Sequence, residues 1–351
     1  MANYGILNIK RNVVTNMTTI YLVRHAQAEG NLCRRMHGQY DSNLTVAGLK
    51  QIKDLRERFE GIPLDACYCS DLTRAENTAQ AICDATGLEY RVDPGFREVC
   101  VGEWEDIPFG FLNTFHGLKM TQFGRDPMNW AVNGSETFRQ YTGRFLMSME
   151  DAARRHAGGS IAIVAHSVVM RGVLTALFPE AQIPHSANTS VSCLEYENGR
   201  YSLKYLNDAS HLKAAYKSSR QKWWQQDGAQ GDDTFWFRPG LTELDGLTPT
   251  ASPVTYTVLE AQRAVGLICL SEEDETSYLD YLGLIESYRG YGLGIQLLGQ
   301  AVSVSRERGK TYLAVRPGVC AALDAMCGKF GFRLRENGWS VLDLTPRVQS
   351  Y

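Results

Sequence analysis

The chain has 351 residues, of which 44% are hydrophobic and 21% charged, with a formal net charge of -3. That length exceeds the ordinary reach of one hydrophobic core and predicts two domains. The slightly acidic balance argues against a nucleic-acid-binding protein while leaving room for a local basic pocket, and no apolar run approaches the length that crosses a bilayer.

Nine cysteines are scattered with no Cys-x-x-Cys pair, a usage that fits reduced thiols in a cytoplasmic protein better than a disulfide framework or a metal site. The opening residues lack the long apolar stretch of a secretory signal, and residues 1–17 read as an extension ahead of the first domain. Then Tyr21-Leu22-Val23-Arg24-His25-Ala26 ends an unbroken apolar run in a cation and an imidazole. Without alternation, such a run predicts a strand covered on both faces, and ligands sit beyond the carboxyl ends of such strands in open α/β sheets. Arg24 brings a planar fork of donors suited to phosphate.

Residues 45–59 read as a helix with Thr45 as its N-cap, and residues 66–69 as a second strand. Ser70-Asp71 is positioned to cap a helix over 72–85. Arg74 then falls in its first turn, where a cation opposes the helix dipole and a nearby anion would explain it. A turn at Asp93-Pro94-Gly95 precedes Arg97-Glu98. Residues 106–144 read as irregular and aromatic, a pattern open to a lid or substrate-facing cap though aromatics are more often simple core, and 145–156 read as helix. Ser160-Ile161-Ala162-Ile163-Val164-Ala165-His166 repeats the opening pattern. If the two strands are parallel neighbours, His25 and His166 emerge at one sheet edge. Residues 167–174 begin a helix, and 191–196 with 201–206 flank Asn198-Gly199 as a closing hairpin. This alternation of short apolar runs and amphipathic stretches is a βαβ rhythm.

Leu22-Val23-Arg24-His25-Ala26, Asn31, Arg35, Gly38, Leu44-Thr45, Ser70-Asp71-Leu72-Thr73-Arg74-Ala75, Thr78, Glu98, Gly102-Glu103-Trp104-Glu105 and Ala165-His166-Ser167 together resemble the histidine phosphatase superfamily in its phosphoglycerate-mutase-like branch, in order over about residues 18–212. Ala26 and Ser167 stand where that family commonly has glycine, and both are small. The resemblance implies a three-layer α/β/α domain. It further implies that His25 attacks phosphorus and becomes phosphohistidine, that Arg24, Arg74 and His166 hold the phosphoryl oxygens, and that Glu98 protonates the leaving group. By the same resemblance, Asn31 and Arg35 line the phosphate side, and Glu103 and Trp104 are structural or rim residues. Residues 106–143 offer less insertion than shielding a mutase's phosphoenzyme from water demands, so hydrolysis is favoured over a mutase.

The rhythm changes over residues 213–351, which read as a second domain including a linker. Trp223-Trp224 is followed by a loop-like stretch over 227–233 and a Pro-rich break over 248–253. Strands are expected over 254–259, 265–270 and 278–285, then the glycine-punctuated Arg289-Gly290-Tyr291-Gly292-Leu293-Gly294, then a helix over 295–308. Glycines between a strand and a helix let amides converge on a pyrophosphate, and the spacing is not the dinucleotide fingerprint. With a strand over 311–315, a helix from Ala321 and Lys329-Phe330-Gly331-Phe332, this region resembles the GNAT family of N-acetyltransferases. The resemblance implies a GNAT-like α/β domain in which acetyl-CoA is held at Arg289, Gly290, Tyr291, Gly292, Leu293 and Gly294. Cys327 occupies the place where the family often has a tyrosine acid, and Cys320 stands near the place of its usual asparagine, so an acyl-CoA-sensing domain is the alternative. The implied substrates are a small phosphomonoester and an amine acceptor.

Overall fold

The computed structural model describes residues 16–213 and 234–348. Of the expected N-terminal extension only Asn16 and Met17 are among them, and Trp223, Trp224 and the loop over 227–233 lie outside them.

In chain order, β1 (Thr18–Arg24) leads to a short helix α1 (Glu29–Cys33), β2 (Arg35–Met36) and α2 (Val46–Phe59). Thr45 caps α2, its Oγ1 accepting the Gly48 amide at 3.1 Å. β3 (Ala66–Cys69), α3 (Thr73–Thr86) and β4 (Tyr90–Val92) follow. The cap of α3 differs from the expected Ser70-Asp71. Leu72 is its N-cap, Ser70 Oγ accepts only the Leu72 amide, and Asp71 turns to Arg97, whose guanidinium offers it two charge-assisted bonds.

The stretch expected to be irregular is largely regular. It holds β5 (Ile107–Pro108), α4 (Phe109–Arg125), broken at His116 where φ is -128° and ψ 25°, and the start of α5 (Phe138–Arg155). Phe109, Phe111, Phe115 and Phe123 do not fall on one helical face, so α4 has no amphipathic period to read. The early start of α5 comes from a reciprocal box, Thr137 Oγ1 accepting the Gln140 amide while the Gln140 side chain accepts the Thr137 amide. Then come β6 (Ser160–Ala165), α6 (Ser167–Leu177) and the hairpin β7 (Val191–Glu197) and β8 (Arg200–Asp208), turned by Asn198 and Gly199 at φ of 50° and 80°.

The first sheet has the order β4-β3-β6-β1-β7-β8, with β1, β3, β4 and β6 parallel. Side chains alternate across it. Ile20, Leu22, Tyr68, Ile161 and Ile163 meet Phe145, Met149, Val169 and Val173 of α5 and α6. Val23, Cys67, Cys69, Ala162 and Val164 meet Leu55, Phe59, Ala79 and Ile82 of α2 and α3. Burial on both faces is why these strands carry no polar alternation.

The second half builds β9 (Trp236–Pro239), β10 (Val254–Glu260), β11 (Arg263–Glu273), β12 (Thr276–Leu284), α7 (Gly294–Glu307), β13 (Tyr312–Val315), α8 (Ala321–Phe330), β14 (Arg333–Leu334) and β15 (Ser340–Asp343). Their sheet runs β14-β15-β13-β12-β11-β10-β9. β12 pairs with β13 through Thr276, Ser277 and Tyr278, and runs on to Leu284 past the end of the four-residue β13.

The halves are joined helix to helix. A Cβ on Gly299 of α7 would stand 2.3 Å from Cys33 Cβ of α1, so glycine is what lets these helices touch, and Cys33 counts among the core residues of the second half. Glu29 and Arg306 pair at 2.5 Å with both side chains nearly buried. On α4, Phe111 and Phe115 meet Trp236.

Candidate active sites

Arg24 and Ala165 are register partners in the parallel pair β1 and β6, so the next residues, His25 and His166, leave the sheet at one edge with ring centroids 5.0 Å apart. Both are buried. His25 Nδ1 lies 2.7 Å from Ala26 O; a carbonyl only accepts, so Nδ1 carries the proton and Nε2 keeps its lone pair. Burial, then the charges of Arg74 and Arg24, hold this imidazole well below its ordinary range, which keeps it neutral. His166 is held low by burial and then by Arg74 and His25, and neither of its nitrogens has a hydrogen-bond partner.

Two guanidiniums flank the pair. Arg24 donates from Nη1 to Ser186 O, while its Nε is buried and unpartnered. Burial, partly opposed by Glu98, pushes Arg24 down to about 10, which leaves it a cation at neutral pH. Arg74, buried, donates to Tyr40 O at 2.8 Å and Gly38 O at 2.6 Å. Glu105 fastens that loop by accepting the amides of Gln39, Tyr40 and Val101. Gly38 sits at φ of 52°, and a Cβ there would stand 2.3 Å from Glu105 Oε1, so only glycine fits. Two buried cations and a ring with orphaned nitrogens are costly without an anionic occupant.

Glu98 reaches the cluster from the loop after β4. Its Oε1 accepts the amides of Val99 and Val169 at 3.0 and 2.8 Å, and its Oε2 accepts that of Val168 at 3.1 Å. It thus tethers itself to the first turn of α6, immediately after His166. Asn31 Oδ1 accepts the Ala28 amide at 3.0 Å, and Asn188, which donates to His25 O at 2.9 Å, lies 3.4 Å from it. Arg35 is placed differently. Its guanidinium donates to Asp106, to Gln300 at 2.7 Å and to Ser303 at 2.8 Å, so its donors serve the seam with α7 rather than the histidine pair. Trp104 is buried against Trp130 at 5.4 Å.

Sequence reasoning missed Asn188, which sits in a loop without any pattern. It also missed Arg144, which pairs with Glu136 at 2.7 Å and donates to the carbonyls of Gly95, Arg97 and Glu98. The one available signal was an acid just ahead of the Thr137 cap with an arginine two turns inside the helix.

In the second half, Gly290 and Gly292 have φ of 83° and 74°. Among the described residues, the amides of Gly290, Tyr291, Gly292 and Leu293 donate to no protein acceptor. Arg289 Nε donates to Leu284 O at 2.7 Å, and Tyr291 is exposed. Alternating glycines at positive φ turn successive amides toward one point, a shape that takes an anion. Cys320 is the N-cap of α8, its Sγ accepting the Leu323 amide at 3.4 Å, and Cys327 is buried in the core, where burial pushes its thiol up to about 12.

The buried histidines set the response to acid. His37 is held down to about 3 and His185 to about 4, in both cases chiefly by burial, and His25 and His166 are held low with them. The unfolded chain takes up protons below the ordinary imidazole value of 6.5 and the folded chain does not, so this stability is complete above that pH and is lost as pH falls toward the depressed values. Each such group removes about 1.4 kcal/mol per pH unit. The urea midpoint is expected to drop steeply from about pH 6.5 to about pH 5, with net uptake of more than one proton on unfolding; a midpoint flat across that window would contradict neutral buried imidazoles.

The profile of the Histidine phosphatase superfamily (branch 1) matches residues 20–209, more than half of the chain. That of the Acetyltransferase (GNAT) family matches residues 216–332. A metal-independent phosphoserine phosphatase of Arabidopsis thaliana is 27% identical over 206 residues, covering 58% of this chain and 86% of that protein. The Enterobacter sp. protein named "Probable phosphoglycerate mutase GpmB" is 27% identical over 216 residues, covering 56% of this chain and 96% of that protein. Among solved structures, Bacillus stearothermophilus YhfR aligns with a TM-score of 0.53 at 29% identity over 56% of this chain and 100% of that one. No helix among the described residues is long and apolar enough to cross a membrane. With its paired strand-end histidines inside the matched segment, the chain belongs to the histidine phosphatase superfamily (branch 1) and carries a GNAT acetyltransferase domain after it.

Proposed function

We propose that residues 18–212 hydrolyse a small phosphomonoester through a phosphohistidine on His25, and that residues 213–351 bind acetyl-CoA and transfer its acetyl group to an amine. The observation that carries the first half is the set of orphaned nitrogens around a neutral nucleophile: both nitrogens of His166 and Nε of Arg24 are buried and unpartnered beside His25. A phosphoryl group supplies acceptors for Arg24 Nε and for the one protonated nitrogen of a neutral His166.

In the first step the His25 Nε2 lone pair forms a bond to phosphorus as the bond to the ester oxygen breaks, and Nδ1–H stays on Ala26 O. Arg24, Arg74 and His166 offset the charge on the transferring group. The departing alkoxide takes a proton from Glu98; Oε2, which accepts one amide where Oε1 accepts two, is the oxygen with room to carry it. Water then attacks phosphorus, its proton returns to Glu98, the P–N bond breaks and inorganic phosphate leaves. Asn31 acts by positioning, through Ala28 and Asn188. Rapid quenching in alkaline detergent during turnover of phenyl phosphate is expected to leave up to one phosphoryl group per chain, stable to alkali and labile to acid, with phosphate and phenol released at equal steady-state rates. Phenol release without a trappable phosphoryl group overturns the covalent route, and phosphate passed to a second alcohol in place of water supports the mutase alternative.

For the second half the fit rests on the row of unpartnered amides from Gly290 to Leu293 at the entrance to α7. Those amides, with Gly294 at the helix start and Arg289 beside them, would hold the pyrophosphate, and the thioester, when bound, supplies the activated acetyl group. Titration calorimetry is expected to give heat with acetyl-CoA. Gly292→Glu is expected to weaken that binding at least tenfold, because it combines about 1–2 kcal/mol of left-handed strain with a like charge in the cradle. No heat with either protein removes the assignment. The burial of Cys327 favours one second reading, an acyl-CoA-sensing domain without turnover, marked by binding with no acetyl transfer to any amine in a broad screen.

A further inference from the structure

Glu98 stands on a stretch of backbone with no regular structure of its own. The single turn Pro94–Phe96 closes before it, and among the described residues the main chain of Glu98 and Val99 makes no backbone-to-backbone hydrogen bond. A carboxyl carried on such a stretch reaches a fixed point only if other groups hold the chain beneath it.

The holder is Arg144, reaching across from α5. Its guanidinium donates from Nε to Glu136 Oε1 at 2.7 Å, from Nη1 to the carbonyls of Gly95 and Arg97 at 2.9 and 2.8 Å, and from Nη2 to Glu98 O and Glu136 Oε2, both at 2.8 Å. Every N–H of the fork is thereby used. Glu136 closes the frame, its Oε2 accepting the Cys100 amide and its own amide donating to Cys100 O, each at 2.9 Å. Gly95 lets the turn come this close to α5, since a Cβ there would stand 2.0 Å from Ser148 Oγ. Gln39 adds a second donor, Nε2 to Glu98 O at 3.0 Å, from the loop whose Gly38 and Tyr40 carbonyls hold Arg74. An ion pair serving α5 alone would be complete with Glu136. Arg144 instead spends the rest of its fork on the carbonyls of Gly95, Arg97 and Glu98, around the acid.

We propose that Arg144, backed by Gln39, is a positioning residue for the proton-donating carboxyl of Glu98. The proposal rests on the phosphatase reading above. The amides of Val168 and Val169 tether the carboxylate itself, whereas Arg144 and Gln39 fix the main chain from which it extends. Without the second anchor the carboxylate stays tethered to α6 while its backbone shifts, and the oxygen that faces the ester moves with it.

The test compares kcat/KM of the full chain on ethyl phosphate, whose leaving oxygen needs a proton, with that on 4-nitrophenyl phosphate, whose leaving oxygen does not. In Arg144→Gln the ethyl-to-nitrophenyl ratio is expected to fall about 10- to 100-fold, the scale of misplacing a catalytic group by about 1 Å. Arg144→Lys, a point charge without the fork, is expected to recover part of the ratio, and Gln39→Ala to lower it severalfold. In a Glu98→Gln background, Arg144→Gln is expected to change the ratio by less than about threefold, because the group it positions no longer has a proton to give. General damage to folding scales both esters alike and leaves the ratio in place. Equal losses on the two esters in Arg144→Gln and Gln39→Ala, or the full fall in ratio persisting in the Glu98→Gln background, overturn the positioning role while the phosphatase reading stands. A Glu98→Gln protein with the wild-type ratio overturns Glu98 as the acid and the positioning with it. Absence of turnover on both esters by wild type overturns the phosphatase reading itself.

Discussion

Replacing His25 with alanine is expected to lower phosphomonoester hydrolysis by roughly 10⁴- to 10⁶-fold, the scale seen when a covalent nucleophile is removed from a set of groups that act as a unit. The size follows from what the site supplies besides the nucleophile. On the proposed mechanism its cations and donors serve a phosphoryl group bonded to Nε2, and among the described residues the other imidazole at these strand ends is His166, whose ring centroid is 5.0 Å away. His25→Ala should therefore also lose the acid-labile phosphoryl label. His166→Ala keeps the nucleophile and removes donors, for which about 10²- to 10³-fold is expected. Glu98→Gln retains an oxygen for the Val168 and Val169 amides but has no proton to give. Its loss, about 10²- to 10⁴-fold, should therefore be large for alkyl esters and small for nitrophenyl phosphate, whose leaving oxygen needs no proton. Measured steady-state rates on both ester types check the series; a His25→Ala protein working at the wild-type rate ends the mechanism.

That site was legible because two features survive in one dimension. A strand buried on both faces writes itself as an unbroken apolar run, and 20–23 and 161–165 both do so, the first leading through Arg24 to His25 and the second directly to His166. Arg74 was legible as an anomaly, a cation at the positive end of a helix. Arg35 shows the limit. Its type and position match the phosphate-lining pattern, yet its partners Asp106, Gln300 and Ser303 are 71, 265 and 268 residues away, and nothing local tells a guanidinium which of two anchors will take it. Gly299 carries the same lesson: inside a helix it reads as a weakness, and only the contact with Cys33 supplies its reason. α4 went unread because its aromatics serve two neighbours, the Trp104–Trp130 cluster through Phe123 and Trp236 through Phe111 and Phe115, which erases the single apolar face that periodicity detects.

Arg306→Ala is expected to destabilise the chain by about 3–5 kcal/mol, the cost of leaving one member of a buried ion pair behind. Glu29 would be that member. Its carboxylate is almost fully covered and takes both terminal nitrogens of Arg306, at 2.5 and 3.1 Å. Burial works against the charge on Arg306, but Glu29 and Tyr40 more than offset it and hold the guanidinium above its ordinary range. Removing the pair altogether is a different matter: Glu29→Leu with Arg306→Met replaces two desolvated charges by apolar groups of similar volume, and most of the lost stability should return. Urea unfolding of the four proteins of this cycle checks the claim, and a single variant Arg306→Ala within about 0.5 kcal/mol of wild type would mean that the pair is solvated and the seam loose. The consequence reaches beyond stability. Glu29 begins α1, four residues after His25, and Asn31 in the same helix holds the Ala28 amide, while Arg306 ends the helix that starts at the Gly290–Leu293 amides. His25, the proposed nucleophile, and the Gly290–Leu293 amides, the proposed anion cradle, are therefore anchored to opposite members of one helix pair, so Arg306→Ala should lower the acetyl-CoA affinity and the phosphatase rate together, and the double variant should recover both.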